Sequence, residues 1–329
     1  LRDWRSAEPP YFQAVRCHQE NKMKKIEGIV PVMLTPFTPD NQIDYPGLER
    51  LIDWYLTQGV DALFAVCQSS EMQFLSLQER VSLAEFVVGK VQGRVPVIAS
   101  GHISDALDAQ IEELNAMAAT GIDALVLVTN HLDPKNEGSE VFFSTLNALL
   151  EALPASMPLG LYECPAPYRR LLSDEEFSFC ANSGRFVVLK DVSCDLPTVQ
   201  RRVKLAEGTP FNIINANAAI AWPAIQAGSK GFSGVFTNFH PELYHWLYHH
   251  GAEQPEKAQE LSLFLSLSAV TETLGYPKNA KIYHQHLGTF SSEFCRVNKD
   301  NVLEKFWGLG VLLDQIQQGT TLWQKKIAG

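Results

Sequence analysis

From Ile29 onward, eight short apolar runs alternate with amphipathic stretches, and that rhythm narrows the folds open to this chain. The runs are IVPVML (29–34), ALFAVC (62–67), VPVIAS (95–100), ALVLV (124–128), PLGLYEC (158–164), RFVVLK (185–190), FNIINA (211–216) and GFSGV (231–235). They are short and rich in β-branched side chains, as strands buried on both faces require. The stretches between them carry helix punctuation. SLQE (76–79) and SDEE (173–176) have capping-box spacing, and Gly59 and Gly121 stand where a helix stops before the next strand. Parallel strands need crossovers, and a sheet closed on itself has no edge, so eight such units in about 210 residues predict a (β/α)8 TIM barrel. A doubly wound open sheet is the competing arrangement, but PVMLTPF (31–37) lacks the glycine fingerprint that follows its first strand. After residue 250 the strand signals stop and three helical stretches follow. Residues 26–250 therefore read as the barrel, 251–329 as a C-terminal helical region, and 1–25, with a start-like Met23, as a peripheral N-terminal extension.

Composition excludes several classes. Of 329 residues, 46% are apolar and 19% charged, the balance of a packed enzyme-sized domain. The formal charge of −10 and the lack of a basic run argue against nucleic acid. No apolar run reaches the roughly 20 residues that span a bilayer, and the N-terminal segment has no secretory apolar centre. The six cysteines are dispersed without CxxC pairing and read as reduced thiols, which places the chain in the cytoplasm.

In such a barrel, chemistry belongs at the C-terminal ends of the strands. Those ends offer Thr35, the loop Gln68-Ser69-Ser70-Glu71, His102, Asn130, His131, Tyr162 with Glu163, Lys190 with Asp191, Asn215, Asn217 and Ser233. Lys190 is the informative member, because it ends an apolar strand. An ordinary lysine is neutral in only about 1 molecule in 2,500 at pH 7. Burial lowers its pKa and frees an amine able to attack a ketone. The competing reading is a strand-end cation paired with Asp191. Tyr162, one strand earlier, is either a proton shuttle or a core tyrosine with a bonded hydroxyl.

The residues around these positions resemble the dihydrodipicolinate synthase and N-acetylneuraminate lyase family, class I aldolases that hold pyruvate on a lysine of a TIM barrel. The resemblance rests on GIVPVMLTPF (28–37) with Asp44, SSEMQFLSLQER (69–80), PKNEG (134–138) with Phe142, LYECP (161–165) and VVLKDVS (187–193), in register. It implies that Lys190 forms the Schiff base, that Tyr162 relays protons, and that Gln68, Ser69 and Ser70 bind the keto-acid carboxylate; the strand-end positions add Asn217 and Ser233 to the substrate-binding set. It further implies a small 2-keto acid and an aldehyde as substrates, a homodimer or homotetramer, and no metal or organic cofactor, since the imine is itself the electron sink. Departures accompany it. Cys67 and Ser70 replace family glycines, and Gln68 replaces a relay threonine. TNHL (129–132) lacks the tyrosine lent between subunits, leaving His131 as its stand-in. The arginine that binds a second carboxylate falls on Pro167, with Arg169 and Arg170 just beyond.

Three alternatives stand beside this reading. One is dihydrodipicolinate synthase activity itself, despite the departures. Another is a metal-dependent barrel using His102, His131, Glu163 and Asp191. The last is a keto-acid-binding regulator without turnover. His245 and His249, at i,i+4 in HPELYHWLYHH (240–250), read as a helix surface or subunit contact with metal-binding spacing.

Overall fold

The computed structural model describes residues 24–329, so the extension assigned to residues 1–25 lies almost wholly outside the described residues. Eight parallel strands form one sheet: β1 (Gly28–Ile29), β2 (Leu63–Phe64), β3 (Val97–Ala99), β4 (Ala124–Val128), β5 (Leu159–Tyr162), β6 (Phe186–Asp191), β7 (Asn212–Asn215) and β8 (Gly231–Phe232). Helices α1 (Tyr45–Thr57), α2 (Leu77–Val91), α3 (Leu107–Ala118), α4 (Ser139–Ala152), α5 (Asp174–Asn182), α6 (Leu196–Leu205), α7 (Ala221–Gln226) and α8 (Pro241–His250) follow the strands in turn. Each strand ladders with its sequence neighbour from β2 to β8, and β8 pairs with β1. The ring closes through a parallel bridge between Val32 and Phe64, with Phe64 N–H donating to the Pro31 carbonyl at 2.9 Å. The architecture is the (β/α)8 barrel expected from the eight apolar runs.

The first run is less regular than its sequence suggests. Its formal strand stops at Ile29, because Pro31 has no N–H to give the ladder. The local punctuation holds elsewhere. Ser76 and Ser173 make reciprocal capping boxes with Glu79 and Glu176. Gly59 and Gly121 take φ of 78° and 89°, the left-handed region in which a helix ends.

Strand alternation decides what each motif presents. In β5 and β6, Tyr162 and Lys190 are direct register partners facing the barrel interior, so Glu163 and Asp191 face outward. There, Arg202 of α6 takes both carboxylates: Nη1 and Nη2 reach Glu163 at 2.8 and 2.7 Å, and Nη1 reaches Asp191. Burial disfavours the guanidinium charge, but the two carboxylates outweigh it and hold the Arg202 pKa above its usual value. A fully buried ion triad contributes orientation more than net stability. This one pins both strand ends in register.

Beyond α8 come α9 (Pro255–Ala269), α10 (Lys278–His286), the short α11 (Val302–Lys305) and α12 (Leu309–Ala328). This region does not hang free. Phe232 of β8 stacks on Tyr244 at 4.0 Å between ring centroids, holding α8, while Thr320 of α12 bonds His240 at 3.0 Å. The α9–α10 segment folds over the C-terminal ends of the strands. Among the described residues no helix is long and apolar enough to cross a membrane.

Candidate active site

A cavity of about 600 Å³ lies between the C-terminal strand ends and the α9–α10 connection, within the usual range of small-molecule sites. Lys190, Tyr162, Gln68 and Ser69 come from the barrel side, while Glu272 and Tyr276 come from beyond it. Lys190 is 8% exposed, and its Nζ lies 4.5 Å from the centroid of the Tyr162 ring. It makes no salt bridge among the described residues, because the adjacent Asp191 points away to Arg202. Burial lowers the Lys190 pKa, and the nearby Cys67, Cys164 and Glu272 only partly oppose it. The ion-pair reading of Lys190 with Asp191 is thereby removed by geometry.

Tyr162 donates its O–H to Gln68 Oε1 at 3.3 Å, and Cys164 Sγ lies 3.2 Å from the same oxygen. Burial first, and the neighbouring cysteines second, raise the Tyr162 pKa well above its ordinary value, so the phenol stays protonated. Gln68 therefore acts as an acceptor that aims this proton. A carboxamide passes no proton onward, so a relay of hydroxyls through this position is absent.

Ser69 is supported by a chain of donors. Tyr55 donates to Asn238 Oδ1, Asn238 Nδ2 donates to Tyr276 Oη at 3.0 Å, and Tyr276 donates to Ser69 Oγ at 2.7 Å. Each oxygen already accepts, so the Ser69 O–H is left to donate into the cavity. The loop carrying Ser69 is fixed from behind by Glu71, whose carboxylate pairs with the fully buried Lys281 of α10 and accepts the N–H groups of Arg296 and Val297 at 2.6 and 2.9 Å. The two replaced glycines introduce no strain. Cys67 is extended, with φ −148°, and Ser70 lies in a 3₁₀ turn; the left-handed residue is Glu71, with φ 61°.

Four other expected positions sort differently. Asn217 lines the cavity, with its Oδ1 accepting Ala219 N–H at 2.9 Å. Ser70 does not line it: its hydroxyl turns into the barrel wall and donates to the Met33 carbonyl at 2.6 Å. Ser233 sits beneath Lys190 with its hydroxyl on the Val30 carbonyl at 2.7 Å. His131 also misses the cavity. Its ring lies tilted against His102, 5.0 Å between centroids, and bonds Asp105 at 2.8 Å, because the turn after β4 carries it toward α3. The four residues of the metal-dependent alternative do not converge. Glu163 and Asp191 are held by Arg202, and His102 takes Val128 N–H on Nδ1 while its Nε2 meets Gln110.

Tyr276, Glu272, Asn238 and Lys281 escaped the sequence reading. All four lie past the eighth strand, and nothing in GYPKNAKIYH distinguishes a site residue from an ordinary helical one. The arginines after Tyr162 are also redirected. Arg169 donates to the Val192 and Ser193 carbonyls, and Arg170 pairs with Asp133 and Glu176.

Residues 25–297 match the Dihydrodipicolinate synthetase family. The chain belongs to this family. It is accordingly a lyase of the class I aldolase type. Among its relatives, 4-hydroxy-tetrahydrodipicolinate synthase of Bacillus subtilis is 30% identical over 212 residues, covering 63% of this chain and 70% of that protein. The enzyme of the same name from Gluconacetobacter diazotrophicus is 25% identical over 297 residues, covering 87% and 98%. A dihydrodipicolinate synthase from Bacillus anthracis superposes with a TM-score of 0.80 at 23% identity, over 90% of this chain and 99% of that one. CdNal of Clostridium difficile, solved with mannosamine, gives a TM-score of 0.78 at 18% identity, over 90% and 100%. The structural likenesses span the C-terminal helices as well as the barrel, so the helical roof belongs to the family fold.

Proposed function

We propose that Lys190 condenses with the ketone of pyruvate or a closely related 2-keto acid. The amine attacks the carbonyl carbon, water leaves, and the protonated imine acidifies the neighbouring C–H. Loss of that proton gives an enamine whose carbon attacks an aldehyde; hydrolysis then returns the free amine and product. The reverse sequence cleaves the same bond. The observation that carries the reading is Lys190 itself: a buried amine at the cavity wall, without a salt bridge among the described residues and lying over the Tyr162 ring. Ser69 donates to the keto-acid carboxylate, and Tyr162 supplies the proton at the carbonyl oxygen. No metal or organic cofactor enters, because the imine supplies the electron sink.

The rest of the cavity bears on the aldehyde. Phe74, Val235, Phe236, Val270 and Val297 line it, and neither Arg169 nor Arg170 reaches it. Glu272, whose carboxyl pKa burial raises, lines the cavity without a salt bridge among the described residues. An aldehyde bearing a carboxylate would meet this acid with no guanidinium among the described lining residues to receive it. The proposed acceptor is thus uncharged and largely apolar, which disfavours the synthase alternative. Assembly as a homo-oligomer in the cytoplasm completes the proposal, supported by family membership and by Trp307, 93% exposed before α12.

Steady-state assays with pyruvate and a panel of neutral and anionic aldehydes test the acceptor. We expect kcat/KM at least tenfold higher for the neutral ones; a preference for an anionic aldehyde would reject that part while leaving the imine intact. Tyr162→Phe tests the proton step. The imine should still form and be trapped by borohydride, while turnover falls by about 10²–10⁴-fold. An unimpaired rate would remove the phenol from the mechanism.

A further inference from the structure

At the opposite end of the barrel from Lys190, where the strands begin, Asp61 meets His245 and His249 of α8. Asp61 stands just before β2 and helps close the ring: its Oδ2 accepts Ile29 N–H at 2.7 Å, and its own N–H donates to the Ile29 carbonyl at 2.9 Å. Gly28 makes room for it. A Cβ there would lie 2.2 Å from the Asp61 carboxylate, and its φ is +87°. His249 Nε2 lies 2.9 Å from Asp61 Oδ1 and His245 Nδ1 lies 3.6 Å from Oδ2, with the imidazole centroids 4.3 Å apart. One ligand atom from each residue falls within 4.8 Å of the others.

We propose that Asp61, His245 and His249 form a binding site for a divalent transition-metal ion such as Zn²⁺, which fastens α8 to the closure between β1 and β2. Two observations carry this independently. The first is the donor set: two imidazoles one helical turn apart and a carboxylate from another element, converging on one point. Imidazole nitrogen with carboxylate oxygen suits zinc, cobalt or nickel rather than magnesium or calcium. The second is His245 Nδ1, a buried nitrogen without a hydrogen-bond partner among the described residues. Its 3.6 Å separation from Asp61 is long for a hydrogen bond but close to the edge of a tetrahedron with metal bonds near 2.1 Å, about 3.4 Å. The partial exposure of His245 and His249 leaves the fourth position open to water. The site is remote from the cavity, so its role is to stabilise the barrel seam.

The test uses tag-free, full-length protein stripped with EDTA. Titration calorimetry with ZnCl₂ should show one tight equivalent, with micromolar or better affinity. Co²⁺ should develop the visible absorption of a tetrahedral nitrogen–oxygen site, and Zn²⁺ should raise the melting temperature. His245→Gln and His249→Gln leave the Asp61 backbone contacts in place. Each should weaken binding by about 10–100-fold or more and abolish the thermal shift, while borohydride trapping at Lys190 stays at wild-type level. Absence of stoichiometric binding, or equal binding by wild type and the double variant, would overturn the site and leave the trio as a carboxylate–imidazole contact. Failure of trapping in all of these proteins would count against the function proposed above and not against the metal site.

Discussion

Lys190→Met eliminates the adduct that borohydride forms between the wild-type protein and pyruvate, and lowers turnover by about 10⁴-fold or more, the scale set by removing a covalent nucleophile. Peptide mapping by mass spectrometry should place the wild-type adduct on Lys190. Persistent trapping on another residue in the variant would refute the assignment. The pH dependence follows from the same burial. The nucleophile is the neutral amine, and burial lowers its pKa. The acid limb of kcat/KM must therefore lie below the ordinary lysine value of about 10.4. Below the folded-state pKa the amine is charged and the rate falls. The substitution also reports on stability. A lysine with a depressed pKa binds fewer protons folded than unfolded in the window between the two values, so wild-type stability rises with pH across it. Lys190→Met should remove that slope and raise stability near neutral pH by about 1 kcal/mol, as expected when an amine held away from water for chemistry is replaced by an apolar chain of similar size. Thermal melts at a series of pH values measure both effects.

Lys281→Met carries the second large effect. Lys281 and Glu71 are both fully buried, and the ammonium also donates to the Phe294 carbonyl at 2.9 Å and lies 4.5 Å from the Phe37 ring centroid. Removing the cation leaves a carboxylate in the interior with two backbone N–H groups but no counter-charge. The cost should be about 3–5 kcal/mol, or roughly 4–7 °C in melting temperature for a chain of this length. Function should suffer separately, because Glu71 anchors the loop that holds Ser69. The KM for the keto acid should rise more than kcat falls. Combining Glu71→Gln with Lys281→Met should recover a good part of the lost stability, since no unpaired charge remains. If Lys281→Met alone costs less than about 1 kcal/mol, the pair does not act as a buried unit.

How much of this could be read from the chain alone depended on whether the signal was local. The eight apolar runs, the capping boxes at Ser76 and Ser173 and the stops at Gly59 and Gly121 are short-range features, and each recurs in the structure. The convergence of Lys190 with Tyr162 follows from strand alternation and parallel register, which neighbouring motifs already encode. Ser69 and Gln68 lie just past the second strand, in the 3₁₀ turn Gln68–Ser70, and both face the cavity. His131, Ser70 and Ser233 do not, although they also sit at strand ends. Whether such a side chain faces the cavity or the wall depends on one residue of phase; within the single 3₁₀ turn Gln68–Ser70 that phase sends Ser69 to the cavity and Ser70 to the wall.

The amino-acid order by itself determined the barrel, the lysine at the end of its sixth strand and the tyrosine beside it, because burial pattern and spacing act over a few residues. Tertiary structure alone decided that Asp191 and Glu163 turn away to Arg202, that Tyr276 and Lys281 from the far end of the chain complete the Ser69 loop, and that Arg169 and Arg170 turn away from the cavity. Those outcomes depend on contacts between residues as many as 210 positions apart, and the free energy of such a contact is written in no single stretch of sequence.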